Sequence, residues 1–233
     1  MNYSIVVDHE LAHPIDRIFY FMMLQRGLEH SGKLIHQDLN NKRRLSPEER
    51  ARHFSEVFPK YAPIVVHNGR LYTTWVIGAI YRRRVGYYGE FPYTVKERIL
   101  ALFPDCKKII HLFSGTIHDP GTITYDINPS LRPTICDDVR NIKEYADIFK
   151  DADLVIADPP YEFKDFQRYG QKPFNKAKVI RDLGEIMSPK SYLAWLDVIV
   201  PIYNKKVWKL LGHIGLVLST NTRVRMWTIW EHV

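Results

Sequence analysis

Four consecutive residues could do chemistry together. Asp158-Pro159-Pro160-Tyr161 follows directly on an apolar run, Leu154-Val155-Ile156-Ala157. The two prolines fix φ and remove two backbone donors, while their carbonyl oxygens remain as acceptors. At the end of a buried strand such a turn presents a carboxylate, rigid carbonyls and a phenol ring. An exocyclic amine on a nucleobase carries two N–H donors. Asp158 could accept one and the Pro159 carbonyl the other, which would aim the nitrogen lone pair at an electrophile. Tyr161 offers a flat face against which an extruded base could stack. The plainer alternative is a tight Pro-Pro turn with an Asx-type cap at a strand end.

Those residues need elements to hold them, and from about residue 94 the sequence supplies a strand–helix alternation. Strands are expected at 108–113, 122–125, 134–136, 154–157, 192–200, 214–218 and 225–231. Helices are expected at 94–103 (with Thr94 as cap), 141–149, 176–187 and 205–211. Alternation of this kind predicts a doubly wound, mostly parallel α/β sheet, and the last two strands are close enough to form an antiparallel hairpin. In such sheets ligands sit beyond the carboxyl ends of the strands. Asp126, Asp137-Asp138 and Asp158 fall there, and the first strand ends in Phe113-Ser114-Gly115. Glycine permits close backbone approach to a ligand, and an acid on the next strand can accept ribose hydroxyls. A turn glycine and helix-capping aspartates would look the same. Upstream, Ile15, Ile18, Phe19, Met22 and Met23 recur at helical spacing over 15–30. Ser46-Pro47-Glu48-Glu49 reads as a capping box opening a helix to about Phe58. Short strand pieces are expected at 64–66 and 71–77 around Asn68-Gly69. The pattern thus changes near residue 94.

Asp158-Pro159-Pro160-Tyr161 resembles in full the Asp/Asn/Ser-Pro-Pro-Tyr/Phe motif of the S-adenosylmethionine-dependent amino-methyltransferases that act on adenine N6 or cytosine N4 in DNA. Its Asp form is closer to the adenine enzymes. The resemblance covers about 88–233 and implies a Rossmann-like methyltransferase fold with S-adenosylmethionine as cofactor. It divides the chain into a small, mainly helical N-terminal region, 1–87, of open role (docking on the sheet, DNA contact or dimerisation), and a catalytic domain, 88–233. By it, Asp158, Pro159, Pro160 and Tyr161 are catalytic. Phe113, Ser114 and Gly115 form the cofactor loop. Asp126 and Ile127 hold the ribose, and Asp137 or Asp138 contacts the adenine of the cofactor. Phe91, Tyr93 and Thr94 close over its methionine part. The sequence is an abbreviated form: only six residues separate Gly115 from Thr122, too few for a crossover containing a helix, which needs ~10–12. It also ends at Val233, soon after the hairpin, so no C-terminal target-recognition domain is expected. Related Asp/Asn-Pro-Pro-Tyr enzymes methylate RNA or protein glutamine, and a methyltransferase-fold subunit without catalysis is the remaining alternative.

Composition narrows the field. At 233 residues, with 45% hydrophobic and 13% aromatic residues, the chain can build a core without disulfides. The longest apolar stretch, Tyr192 to Val200, contains Asp197 and is too short to span a bilayer. Asp8, Glu10 and Asp16 interrupt any signal sequence. Only Cys106 and Cys136 occur, so a reducing compartment, the cytoplasm (or a host's cytoplasm for a phage-borne chain), is expected. Cys136 is expected to be buried. A net charge of +7 favours a polyanionic partner. DNA is the partner expected first, with RNA open, and a homodimer or a separate specificity subunit is also left open. Arg82, Arg83 and Arg84 read as a phosphate contact or a solvated turn. Lys164, Arg168 and Lys172, interleaved with Phe163, Phe166, Tyr169 and Phe174, read as a nucleic-acid lip or as an amphipathic segment over the core. No His or Cys spacing suits a metal. Trp195, Trp208, Trp227 and Trp230 are expected in the core or in subunit contacts.

Overall fold

The computed structural model describes residues 44–77, 94–169, 171–218 and 224–233. The expected helix over 15–30, Arg82, Arg83, Arg84, Phe91 and Tyr93 lie outside the described residues. Residues 44–233 form one unit.

The chain enters it through α1 (Pro47–Val57). Ser46 Oγ accepts from Glu49 N at 3.2 Å, and the Glu49 carboxylate accepts from Ser46 N at 2.7 Å, so two otherwise unsatisfied amides are closed reciprocally. β1 (Val65–His67) and β2 (Arg70–Ile77) then pair antiparallel. They turn at Asn68-Gly69, where both residues take positive φ (49° and 66°). After α2 (Val95–Leu100) come β3 (Ile109–Leu112), β4 (Ile123–Asp126), β5 (Ile135–Cys136), α3 (Ala146–Phe149), β6 (Leu154–Ala157), α4 (Phe163–Arg168), α5 (Lys176–Ile186), β7 (Tyr192–Asp197), β8 (Trp208–Leu218) and β9 (Val224–His232).

The nine strands make one sheet in the order β1-β2-β8-β9-β7-β6-β3-β4-β5. β5, β4, β3, β6 and β7 run parallel, and β9 is antiparallel to both β7 and β8. This is the expected mostly parallel, Rossmann-like methyltransferase sheet closed by a C-terminal antiparallel hairpin. It continues further, since β2 pairs parallel with β8. That contact is close: a Cβ on Gly212 would sit 2.4 Å from the Leu71 carbonyl oxygen. Leu154 and Ile156 of β6 enter one apolar cluster and Val155 and Ala157 the other, so both faces are covered. Trp75, Trp195, Trp208, Trp227 and Trp230 are all fully buried in these clusters.

A buried ion pair ties α1 to the sheet. Arg50, wholly excluded from solvent, donates to both Asp105 oxygens (2.7 and 2.9 Å), to the Leu102 carbonyl and to the Tyr192 hydroxyl.

Four local expectations are corrected. The 205–211 helix is instead the start of β8. Lys209 pairs with Glu231 across the hairpin, and Trp208 Nε1 donates to the Ile180 carbonyl at 3.1 Å. A register shift at Leu210/Gly212 breaks the alternation that would have revealed the strand. Residues 139–145 wind as a 3-10 helix, leaving α3 only the last turn of the expected helix. Thr94 is left-handed (φ 66°), and its side chain caps nothing. Cys136 is exposed: β5 is a two-residue edge strand whose inward position belongs to Ile135.

Candidate active site

Register places the strand ends together. Leu112 pairs with Ala157 on one side and Tyr125 on the other, and Asp126 pairs with Cys136. The residues that follow, Phe113-Ser114-Gly115, Asp158 and Asp137, therefore leave the sheet at one edge beside Asp126.

At β6 the turn holds itself. The Tyr161 hydroxyl donates to Asp158 Oδ1. Burial pushes the Asp158 carboxyl up to about 7, against the opposing pull of the Tyr161 hydrogen bond and the Arg225 and Lys176 charges, with the Asp197 carboxylate adding to the rise. Burial also raises the Tyr161 phenol, as does the neighbouring Asp158 carboxylate. Behind the turn, Lys176 at the start of α5 donates to the Tyr161 carbonyl at 3.2 Å and to Asp197 Oδ2 at 2.7 Å. Asp197, at the end of β7, is fully buried and also accepts from Trp195 Nε1 and Val198 N. From β9 the Arg225 guanidinium lies 5.2 Å from the Tyr161 ring centroid.

At β3 and β4, Gly115 N donates to Asp126 Oδ2 and Asn128 N to Oδ1, each at 2.9 Å. Burial nonetheless raises the Asp126 carboxyl. Phe113 and Gly115 both take positive φ (60° and 54°), so the chain kinks sharply as it leaves β3. Phe113 turns its ring inward onto Phe174 (centroids 5.4 Å apart, stacked) and edge-on to Trp195. The loop over 113–122 contains no helix, as the six-residue spacing implied.

These residues suit a nucleoside-bearing cofactor. Ser114 Oγ is buried and has no hydrogen-bond partner among the described residues, and the Asp126 carboxylate, which also draws the Ile127 backbone amide, retains acceptor capacity for a ribose hydroxyl. The two acids after β5 have separate surroundings. Asp137 accepts from Tyr145 Oη and Asn141 Nδ2 (3.0 and 3.1 Å). Asp138 caps the 3-10 helix through Arg140 N and pairs with the Arg140 guanidinium, which lowers its carboxyl pKa. Thr94 is buried at the foot of α2, and Ile127 is half-buried beside Asp126.

Downstream of Tyr161 the side chains sort by face. Phe166 is buried and Phe174 packs on Phe113, whereas Phe163, Lys164, Arg168 and Lys172 are exposed, with Lys164 paired to Glu162 at 2.7 Å. The segment is thus amphipathic, with its aromatic side chains Phe166 and Phe174 turned inward and its basic residues on the outer side. Sequence reasoning missed Lys176, Asp197 and Arg225 as parts of this site. Asp197 carried a signal, an acid closing a long apolar strand. Arg225 carried none, because only the antiparallel register of β9 brings it to the site. Among the described residues no three His, Cys, Asp or Glu side chains converge as metal ligands would, and no helix is long and apolar enough to cross a membrane.

The sheet order is that of a Rossmann-like methyltransferase fold, an architecture whose members act on many substrates. No family model and no curated protein matches the sequence. Among solved structures, TrmN from Thermus thermophilus is similar at 14% identity over 55% of this chain and 44% of its own, with a TM-score of 0.38. SMU.776, in a structure complexed with SAH, is similar at 18% identity over 53% of this chain and 45% of its own, TM-score 0.39. The fibrillarin/Nop5p complex is similar at 10% identity over 55% of this chain and 73% of that one, TM-score 0.38. The chain thus spans less than half the length of the first two.

Proposed function

We propose that this protein transfers a methyl group from S-adenosylmethionine to the exocyclic amine of a DNA base, adenine N6 first. One observation carries the reading: Asp158-Pro159-Pro160-Tyr161 leaves β6 directly beside the end of β3, where Gly115 meets Asp126. An amine binder and a nucleoside binder on adjacent strand ends bring acceptor nitrogen and electrophile into one cleft.

Ser114, Gly115 and Asp126 hold the cofactor, which when bound supplies the methyl as an electrophile on sulfur. Asp158 and the Pro159 carbonyl accept the two N–H bonds of the target amine, drawing its lone pair out of ring conjugation. As the N–C bond forms and the C–S bond breaks, the nitrogen becomes cationic and gives up a proton. A carboxylate with a pKa near 7 can receive that proton and return it to solvent. Tyr161 stacks on the extruded base, which offsets the few kcal/mol that unstacking costs. The exposed Lys164, Arg168 and Lys172 face the phosphates.

The test is transfer of labelled methyl to unmethylated duplex DNA, single-stranded DNA and RNA, with products digested to nucleosides and weighed. N6-methyladenine from DNA, absent with Asp158→Ala, is the expected result. Label in RNA or in protein glutamine instead would replace the substrate and keep the reaction.

The helix-free loop over 113–122 favours a second reading, a methyltransferase-fold subunit without catalysis. Stabilisation by a ligand grows as RT ln(1 + [L]/Kd), about 2.7 kcal/mol at a hundredfold excess over Kd. No melting shift with S-adenosylmethionine or its demethylated product would select this reading.

A further inference from the structure

Arg225 has a role that neither packing nor the four-residue motif accounts for. It sits near the start of β9, and the register Asp197 to Met226 places it just past the carboxyl end of β7, on the edge where the site opens. Alternation along β9 puts it on the face of Trp227 and Ile229, which share a cluster against which Tyr161 also packs. Its guanidinium lies over the Tyr161 ring. Its Nε is shielded from solvent and has no hydrogen-bond partner among the described residues. A ring face attracts the guanidinium charge but satisfies none of its five directed N–H bonds in full. A buried donor left open costs free energy that an acceptor on a ligand would recover.

We infer that Arg225 is a specificity-determining residue, donating to a ring nitrogen that flanks the target amine. The inference rests on the proposed methylation of adenine. Adenine suits it: N6 is flanked by N7 on one side and N1 on the other, both acceptors. Asp158 and the Pro159 carbonyl would take the amine's two donors while Arg225 supplies a donor to the adjacent acceptor. An acid and a guanidinium side by side complement the donor–acceptor pair of that base edge.

The experiment uses a synthetic duplex carrying the adenine mapped in the transfer assay, and two versions with 1-deazaadenine or 7-deazaadenine at that position. Each is assayed with the wild-type protein, Arg225→Gln and Arg225→Lys, with thermal melting to confirm that the variants fold. The wild type is expected to lose about 10- to 100-fold in kcat/KM on one of the two deaza substrates, the worth of a hydrogen bond from a charged donor. Arg225→Gln is expected to lose the same factor on adenine and to be indifferent to that deaza change. Arg225→Lys should recover part of the rate and part of the discrimination. A deaza penalty that persists in Arg225→Gln, or wild-type protein that ignores both deaza bases while methylating adenine, overturns the inference and leaves the methyltransferase reading standing. Wild-type protein that labels no adenine in DNA overturns both.

Discussion

Asp158→Asn should make the protein more stable, and the stability gain should grow with pH. The ordinary carboxyl value is 3.8, and burial pushes Asp158 to about 7 in the folded state. The folded protein therefore holds this proton more tightly than the unfolded chain. Between the two values the folded state binds more protons, so stability falls as pH rises through that window. Below about pH 4 both states are protonated and the penalty is absent; above about pH 7 it is complete. A tenfold change in proton affinity corresponds to ~1.4 kcal/mol, so the roughly thousandfold difference here sets a ceiling of ~4 kcal/mol. Asp158 keeps some solvent contact, so a gain of ~2–4 kcal/mol is expected for the amide at pH 8. The amide retains the shape and still accepts from the Tyr161 hydroxyl, so nothing else in the turn changes. The assay is urea unfolding of both proteins at several pH values from about 4 to 8, taken as a difference so that other titrating groups cancel. A difference that does not vary with pH, or an Asn variant less stable at pH 8, would refute the reasoning.

Under the proposed reaction, methyl transfer by the wild type should climb through pH 7 and level off above about 8, since the amine needs the ionised form of Asp158; at pH 6 the rate should be about a tenth of the plateau. Asp105→Ala strands the buried Arg50 guanidinium and should cost ~3–5 kcal/mol by urea unfolding, with much of it recovered when Arg50→Met is added. Gly212→Ala forces β2 away from β8, because a Cβ would stand 2.4 Å from the Leu71 carbonyl oxygen; a loss of at least ~1–3 kcal/mol is expected, with faster hydrogen exchange along β2. Ser46→Ala removes the α1 cap and should cost ~1 kcal/mol.

Parts of the molecule governed by local chemistry were legible from the residues alone. The Ser46–Glu49 capping box fixed the start of α1 within four residues. The unbroken apolar run at 154–157 announced a strand buried on both faces, and the prolines after it announced where the strand must stop. Parts governed by distant partners were not legible. Lys205, Lys206 and Lys209 imitate the charged face of a helix, and only pairing with β9 makes the segment from Trp208 a strand. Arg225 reads as one more basic residue near a turn. It becomes part of the site because antiparallel pairing reverses the direction of β9 and carries its first residues to the edge where the parallel strands end.

The helix-free crossover between β3 and β4 follows from the same interplay. A parallel connection normally covers the sheet face with a helix, and the residues over 113–122 are too few to supply one. His111 on β3 points away from Ile110 and Leu112 toward the face left bare, yet it is almost wholly buried. Its cover comes from elsewhere. Asp119 in the loop stands 3.9 Å from His111 Nε2, and Lys96 of α2 grips both Asp119 oxygens at 2.6 Å. Burial, reinforced by the Lys96 charge and partly offset by Asp119, lowers His111 to about 4, so it is neutral near pH 7 and adds no charge beneath the loop. A helix that precedes β3 thus anchors the loop that follows it. The loop need only reach from Gly115 to Asp119 and back, while Gly115 and Asp126 stay in hydrogen-bond contact at the strand ends. The abbreviation removes a helix from the crossover and leaves in place the backbone amide and the carboxylate that a nucleoside would meet.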